Sequence, residues 1–298
     1  MKRMIVVPII VLSSLVAMST TQETETPKIA STPLADGLFM FEGAGGNSVA
    51  YVGSEGVVLV DTGFAPMDEP LRAAVGKLSN KPVRIVVNTH WHLDHVGGNQ
   101  ALATSKAVVV AHENVRRHMS TDQHLAVIDR QVPASPAQAL PMVTYQDRLT
   151  LHWGQEEISL IHIPAGHSDG DTVVFFRSSK VIHTGDLFFN CGYPYIDISH
   201  GGTIDGMIAA VEKLLDLADA STHIVPGHGP LATVGDLETY LKMLKDFRHA
   251  IANEVANGKD LKDILEAPPT VDLDAKWGKV FFPPEQFTEI VFKTLPQK

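Results

Sequence analysis

Four apolar runs of this chain each close on a histidine or aspartate set beside glycine, and that repeated ending limits the folds open to it. The runs are "VRIVVN" before "THWHLDHVGG" (83–98), "LIHIPA" before "GHSDGD" (160–171), "VIH" before "TGD" (181–186) and "IVP" before "GHG" (224–229). Short runs rich in Val and Ile, bounded by Gly and Pro, read as strands. Polar groups just past a strand end are held firmly, while the loop leaves them room to act. A fold that uses all four endings together must bring several strand ends to one edge.

The intervening segments support a layered arrangement. Residues 37–63 alternate short apolar runs with glycine turns, as a meander of strands does. "MDEPLRAAVGKLS" carries helical spacing at Leu71, Ala74, Val75 and Leu78. A short helix in "GGNQALATS", a strand in "AVVVAH" and a helix in "ENVRRHMS" follow. Residues 120–145 lose periodicity around Pro133, Pro136 and Pro141 and read as an irregular excursion. Beyond it come strands in "LTLHW", "EISLIHIPA" and "DTVVFFRSSKVIHTGD", then the helices "TIDGMIAAVEKLLDLA" and "LETYLKMLKDFRHAIANEVANG". Two halves, each mixing strands with covering helices, predict two packed sheets with helices outside.

A formal charge of −10 without a basic run argues against a nucleic-acid partner, because phosphate tracking needs clustered Lys and Arg. Residues 1–19, with Lys2 and Arg3 before an apolar stretch and small residues near Ala17, read as a signal peptide. The stretch is short for a membrane span, so no stable span is expected after cleavage, and a periplasmic or secreted location is. Residues 20–35 read as a flexible arm and 36–298 as the folded domain. The single cysteine, Cys191, excludes an internal disulfide and reads as apolar filler.

Side chains two apart at a strand end point the same way, so His90 and His92 can grip one ion. Asp94 and His95 then fall where the chain turns, and Gly97 and Gly98 permit the turn. Sorted by donor, His90, His92 and His167 make a three-imidazole site, and Asp94, His95 and His228 a mixed one. Asp186, with two oxygens, can bridge them. His112, His118, His124, His152, His162, His183, His200, His223 and His249 lack this setting and are not expected to be ligands.

"VLVDTG", "THWHLDHVGG", "GHSDGD", "TGDLFF" and "PGHG" resemble the five motifs of the metallo-β-lactamase-fold superfamily, over roughly residues 36–250. The resemblance implies a mixed α/β fold: a four-layered αβ/βα sandwich of two mixed sheets, with metals at one edge. It implies that Asp61 steadies the ligand loops without binding metal. It also implies two Zn2+, with Fe or Mn admissible at the Asp94/His95/His228 position, where oxygen donors are harder. The reaction expected is hydrolysis of a small-molecule carbonyl compound by a water shared between the ions, with Asp94 catalytic as the group that holds the water and moves its proton.

Asp186 stands where zinc β-lactamases typically carry Cys or Ser, which turns the reading from a dedicated lactamase towards a cyclic amide or ester hydrolase with weak β-lactamase activity. Alternatives are a glyoxalase-two-like thioester hydrolase, a lactonase and, from another class, a mononuclear iron sulfur dioxygenase. The residues after Asp186 hold no cation, so the mouth is expected to be uncharged and aromatic, shaped by Trp91, Phe188, Phe189, Tyr193 and Tyr195. Asn190, Tyr193, Tyr195 and His200 are the candidate substrate contacts, and "EGAGGN" (42–47) is a candidate flap or a plain turn.

Overall fold

The structure, a computed structural model, describes residues 28–295. The signal-peptide reading lies outside the described residues, as does the start of the arm. The chain opens with four antiparallel strands, β1 (Ala30–Ala35), β2 (Leu38–Glu42), β3 (Ser48–Gly53) and β4 (Gly56–Val60). Helix α1 (Asp68–Leu78) crosses over to β5 (Val83–Val87), which runs parallel to β4. Two short helices, α2 (Leu93–Val96) and α3 (Asn99–Thr104), lead to β6 (Val108–His112), parallel to β5. After α4 (Glu113–Met119), a small hairpin of β7 (Gln123–Leu125) and β8 (Arg130–Val132) stands apart, and β9 (Val143–Tyr145) returns to pair with β6.

The second sheet runs β10 (Arg148–Trp153), β11 (Glu156–Ile163), β12 (Asp171–Phe176) and β13 (Val181–His183), all antiparallel. Helix α5 (Ile204–Leu217) then crosses to β14 (His223–Val225), parallel to β13. Helices α6 (Val234–Ala256), α7 (Leu261–Glu266), α8 (Val271–Trp277) and α9 (Pro284–Thr294) complete the described chain.

Strands β4 and β12 are buried along their whole length, which is why β4 and the Val173–Phe176 part of β12 are continuous apolar runs and not alternations. Leu38, Val58 and Val60 of the first sheet meet Ile158, Leu160 and Phe176 of the second between the sheets. Outside the first sheet, Leu59 and Val86 pack under Leu71 and Val75 of α1. Outside the second, Ile161, Val173 and Ile182 meet Val211 and Leu214 of α5 and Leu244 and Phe247 of α6. The result is the expected αβ/βα sandwich. Each such side chain contributes roughly 1.5–3 kcal/mol on burial, most of it offset by chain entropy.

Two expectations are corrected. Residues 30–35, read as part of a solvated arm, form β1, because its backbone finds partners along β2 and Leu34 and Ala35 reach the intersheet core. Pro33 is tolerated there because β1 is an edge strand, with no neighbour on its other side among the described residues. The excursion at 120–145 is ordered too, holding the β7–β8 hairpin and β9. Its short strands carry too few residues to show a period. Among the described residues, no helix is long and apolar enough to cross a membrane.

Candidate metal centre

The four endings do converge. His90 and His92 leave the end of β5, and Asp94 and His95 sit on α2. His167 lies between β11 and β12, Asp186 follows β13, and His228 follows β14. The ligand atoms of His90, His92, His167 and Asp186 all lie within 4.8 Å of one another, and so do those of Asp94, His95 and His228. His95 Nε2 is 3.2 Å from Asp186 Oδ1, and His228 Nε2 is 3.3 Å from Asp94 Oδ2, so the two groups adjoin.

Hydrogen bonds on the far side of each ring determine which nitrogen faces inward. His167 Nδ1–H donates to the Tyr195 carbonyl at 2.8 Å, and His92 Nε2–H donates to Asp197 Oδ2 at 2.9 Å. In the neutral rings, His167 Nε2 and His92 Nδ1 therefore confront each other with lone pairs at 2.9 Å. Two acceptors that close repel unless a positive charge lies between them. Asp61 organises the other pair. Its Oδ2 accepts from His95 Nδ1–H at 2.7 Å and from the Thr89 hydroxyl at 2.6 Å. With its proton so committed, Thr89 Oγ1 accepts from His90 Nδ1–H at 3.1 Å.

His90 Nε2, His95 Nε2, Asp186 Oδ1 and His228 Nε2 are left buried without a hydrogen-bond partner. Orphaned polar atoms are costly and rare in native folds. Four of them pointing into one cluster of imidazoles and carboxylates fit divalent cations, which neutral imidazole and carboxylate oxygen bind well.

Electrostatics separate the two halves. Burial, with His95 close by, pushes His90 well below the ordinary imidazole range, and burial takes His167 down to about 4. Burial also opposes ionisation of Asp186, yet His228, His95 and His90 hold its carboxyl well below the usual range. Against the same burial, His95 and the adjacent His228 bring Asp94 to about 2. His228, desolvated but facing Asp186 and Asp94, rises to about 9. Cation binding at the carboxylate-rich half therefore displaces protons.

The 42–47 turn presses on this centre. A methyl group at Gly46 would lie 2.2 Å from His95 Cε1, so the ring needs glycine beneath it. Gly46 N–H donates to the Asp94 carbonyl at 3.1 Å, and Asn47 Nδ2 donates to the carbonyls of Pro226 and Gly229 at 2.9 and 2.8 Å. The far end of the turn is thus stitched to the ligand loops of both sheets.

A pocket of about 480 Å³ opens above, with Asp94, Asp186, His92 and His228 among its lining residues. Tyr195 and Trp91 line it as expected, and neither the Tyr195 hydroxyl nor the Trp91 indole N–H has a partner. The other expected contacts do not line it. Tyr193 is fully buried, stacked on Phe287, with its hydroxyl donating to Asp274. Gly192, at φ +150°, and Pro194 break the strand geometry that would put Tyr193 and Tyr195 on one side. Asn190 turns away, donating to the Pro230 carbonyl at 3.0 Å. Phe188 packs on Tyr240 in the core, and Phe189 stacks on His228. His200 is held between Asp197 Oδ2 at 2.8 Å and Gln123 Oε1 at 2.9 Å.

The wall is instead built by Phe64, Leu125, Ile128, Arg130, Val132, Phe281 and Phe282. The uncharged-mouth expectation is corrected by Arg130, which comes from the 120–145 excursion and which packing brings alongside the pocket. Of the remaining histidines, His183 donates from Nε2 to the Asn47 carbonyl, and His112 and His162 stack 3.8 Å apart. Cys191 is half-buried, and burial pushes its thiol up to about 11, which favours the thiol over the thiolate.

Asp197 is the residue that sequence reasoning missed. It is fully buried and orients His92 from behind. The fragment "YPYID" carried it without a flanking glycine or a strand. Asp197→Ala is expected to weaken metal retention about 10–100-fold, measured by competition with a chelator. Unchanged affinity would remove Asp197 from this role.

A buried imidazole–carboxylate cluster at the shared edge of an αβ/βα sandwich defines a class of metal-dependent enzymes. The metallo-beta-lactamase superfamily model matches residues 42–237, and the chain belongs to that superfamily. It is 29% identical over 192 residues to an uncharacterized protein of Mycobacterium tuberculosis, covering 60% of this chain and 82% of that one. It is 25% identical over 229 residues to the acyl-coenzyme A thioesterase MBLAC2 of Gallus gallus, covering 67% of this chain and 80% of that one. Among solved structures, a metallo-beta-lactamase from Pontibacter korlensis superposes with a TM-score of 0.60 at 22% identity, over 73% of this chain and 99% of that one.

Proposed function

We propose that this protein is an exported metal-dependent hydrolase that opens a carbonyl substrate, a cyclic amide or ester with an apolar body. The observation that carries the reading is the position of Asp94. Its side chain is 20% exposed against 5% for Asp186, so it is the more accessible carboxylate between the cluster and the pocket.

His90, His92 and His167 would hold one cation and Asp94, His95 and His228 a second, with Asp186 between them. When bound, such cations, of which zinc suits the imidazoles best, supply a water acidified to near neutrality and polarise a carbonyl oxygen. Asp94 stays ionised at physiological pH, so it can accept the proton of the attacking water and return it to the departing oxygen, nitrogen or sulfur. Trp91 and Tyr195 contribute to the pocket wall, and Leu125, Val132, Phe281 and Phe282 exclude bulk water from it. Burial holds the Tyr195 phenol well above its ordinary range, so it stays protonated.

A thioester is the second reading, favoured by the relative named as an acyl-coenzyme A thioesterase. The test is a panel of nitrocefin, lactones, thioesters and phosphodiesters, run after dialysis against zinc and against manganese. Lactone or lactam turnover that a chelator abolishes is the expected result. Thioester turnover alone would select the second reading, and no turnover of any carbonyl substrate would overturn both.

A further inference from the structure

We infer that Arg130 is a specificity-determining residue and that the substrate carries an anionic group, carboxylate in the simplest case, at the end of its apolar body. This rests on the carbonyl-hydrolase reading and adds the class of substrate. Arg130 is the one Lys or Arg among the residues lining the pocket, and it stands in an otherwise apolar wall with Leu125, Ile128 and Val132. Elsewhere on the chain, Arg72, Arg117, Arg177 and Arg248 each face a carboxylate. Arg130, like Arg84, Arg116 and Arg148, has no carboxylate partner among the described residues, and of these four it alone lines this pocket.

The hairpin that presents it is registered against the metal centre. Its first residue, Gln123, accepts from His200 at 2.9 Å; His200 bonds Asp197 at 2.8 Å; and Asp197 holds His92 at 2.9 Å. Ala126 N–H donates to Ser199 Oγ at 3.1 Å, which ties down the middle of the hairpin. At its tip, Asp129 takes the left-handed conformation at φ +45° and pairs with His124 across the turn. A guanidinium so placed can receive a carboxylate through two parallel hydrogen bonds while the carbonyl lies over Asp94. An entirely neutral substrate would gain nothing from that exposed guanidinium.

The test uses two series of p-nitrophenyl esters with four to eight acyl carbons, one ending in methyl and one in carboxylate, on the metal-loaded protein. At the chain length that spans the pocket, the wild type is expected to prefer the carboxylate-ended ester about tenfold in kcat/KM, through KM. The preference should shrink as salt rises. Arg130→Ala should bring the ratio of the two series to roughly one, and Arg130→Lys should keep part of it. Equal turnover of both series by the wild type, or an unchanged ratio in Arg130→Ala, overturns the inference. Calorimetric titration with the corresponding anilides separates the two readings. If neither ester series is cleaved, the hydrolase reading is decided by the lactam, lactone and thioester panel, and Arg130 is judged by whether the carboxylate-ended anilide binds wild type more tightly than Arg130→Ala.

Discussion

Asp94→Ala lowers turnover of the best panel substrate by at least about 10²–10⁴-fold, the range expected for loss of a positioned proton acceptor. The carboxylate contributes in two ways. Its Oδ2 lies 3.3 Å from His228 Nε2 and 3.7 Å from His95 Nε2, so it completes the mixed donor set. It is also the carboxylate of the cluster that the pocket reaches most openly. Fold stability should change little, because its neighbours are the other ligands and the pocket, not the core. Two measurements separate the roles: metal content of the purified variant, and activity of Asp94→Asn, which retains an oxygen donor but no longer accepts a proton efficiently. Full turnover in Asp94→Ala with metals retained would end the proposed mechanism.

Asp61→Ala produces the second large effect, and it falls on stability as well as on activity. Asp61 is fully buried and accepts from Thr89 N–H at 2.8 Å, the Thr89 hydroxyl and His95 Nδ1–H. Its removal strands three buried donors, a loss of about 3–5 kcal/mol by analogy with broken buried charged networks. It also frees the rings of His95 and His90, so metal affinity falls together with Tm. The residue sits at φ +56°, which aspartate and asparagine tolerate better than alanine. Asp61→Asn keeps that backbone preference and replaces one acceptor oxygen by a donor, which isolates the electrostatic part. If Asp61→Asn and Asp61→Ala both melt like wild type and retain metal, the loops are steadied by something else.

The centre was legible in the sequence because each ligand announces itself locally. His90 and His92 follow an apolar strand, His167, Asp186 and His228 do so too and stand beside glycines that let loops fold tightly, and Gly46 beneath His95 shows how little room remains. The helices α5 and α6 were legible for a similar reason, since their apolar faces repeat over many residues. The outer support of the site was less so. Asp197 lies 105 positions from the histidine it orients, in a segment with no period. Tyr193 and Tyr195 look equivalent in sequence, yet one is core and the other lines the pocket, because the backbone between them is not a strand.

The sequence by itself determined the donors, the strands that carry them and the layered fold, since hydrophobic period, glycine placement and ligand chemistry are properties of short segments. The tertiary structure alone decided the pocket. Its wall joins the hairpin carrying Arg130 with Phe64 and with Phe281 and Phe282, residues from three distant parts of the chain. None has a reason to be near a metal until the sheets and helices pack. A mouth that looked uncharged from the residues following Asp186 holds a guanidinium supplied from elsewhere, because proximity in a pocket follows packing and not order along the chain.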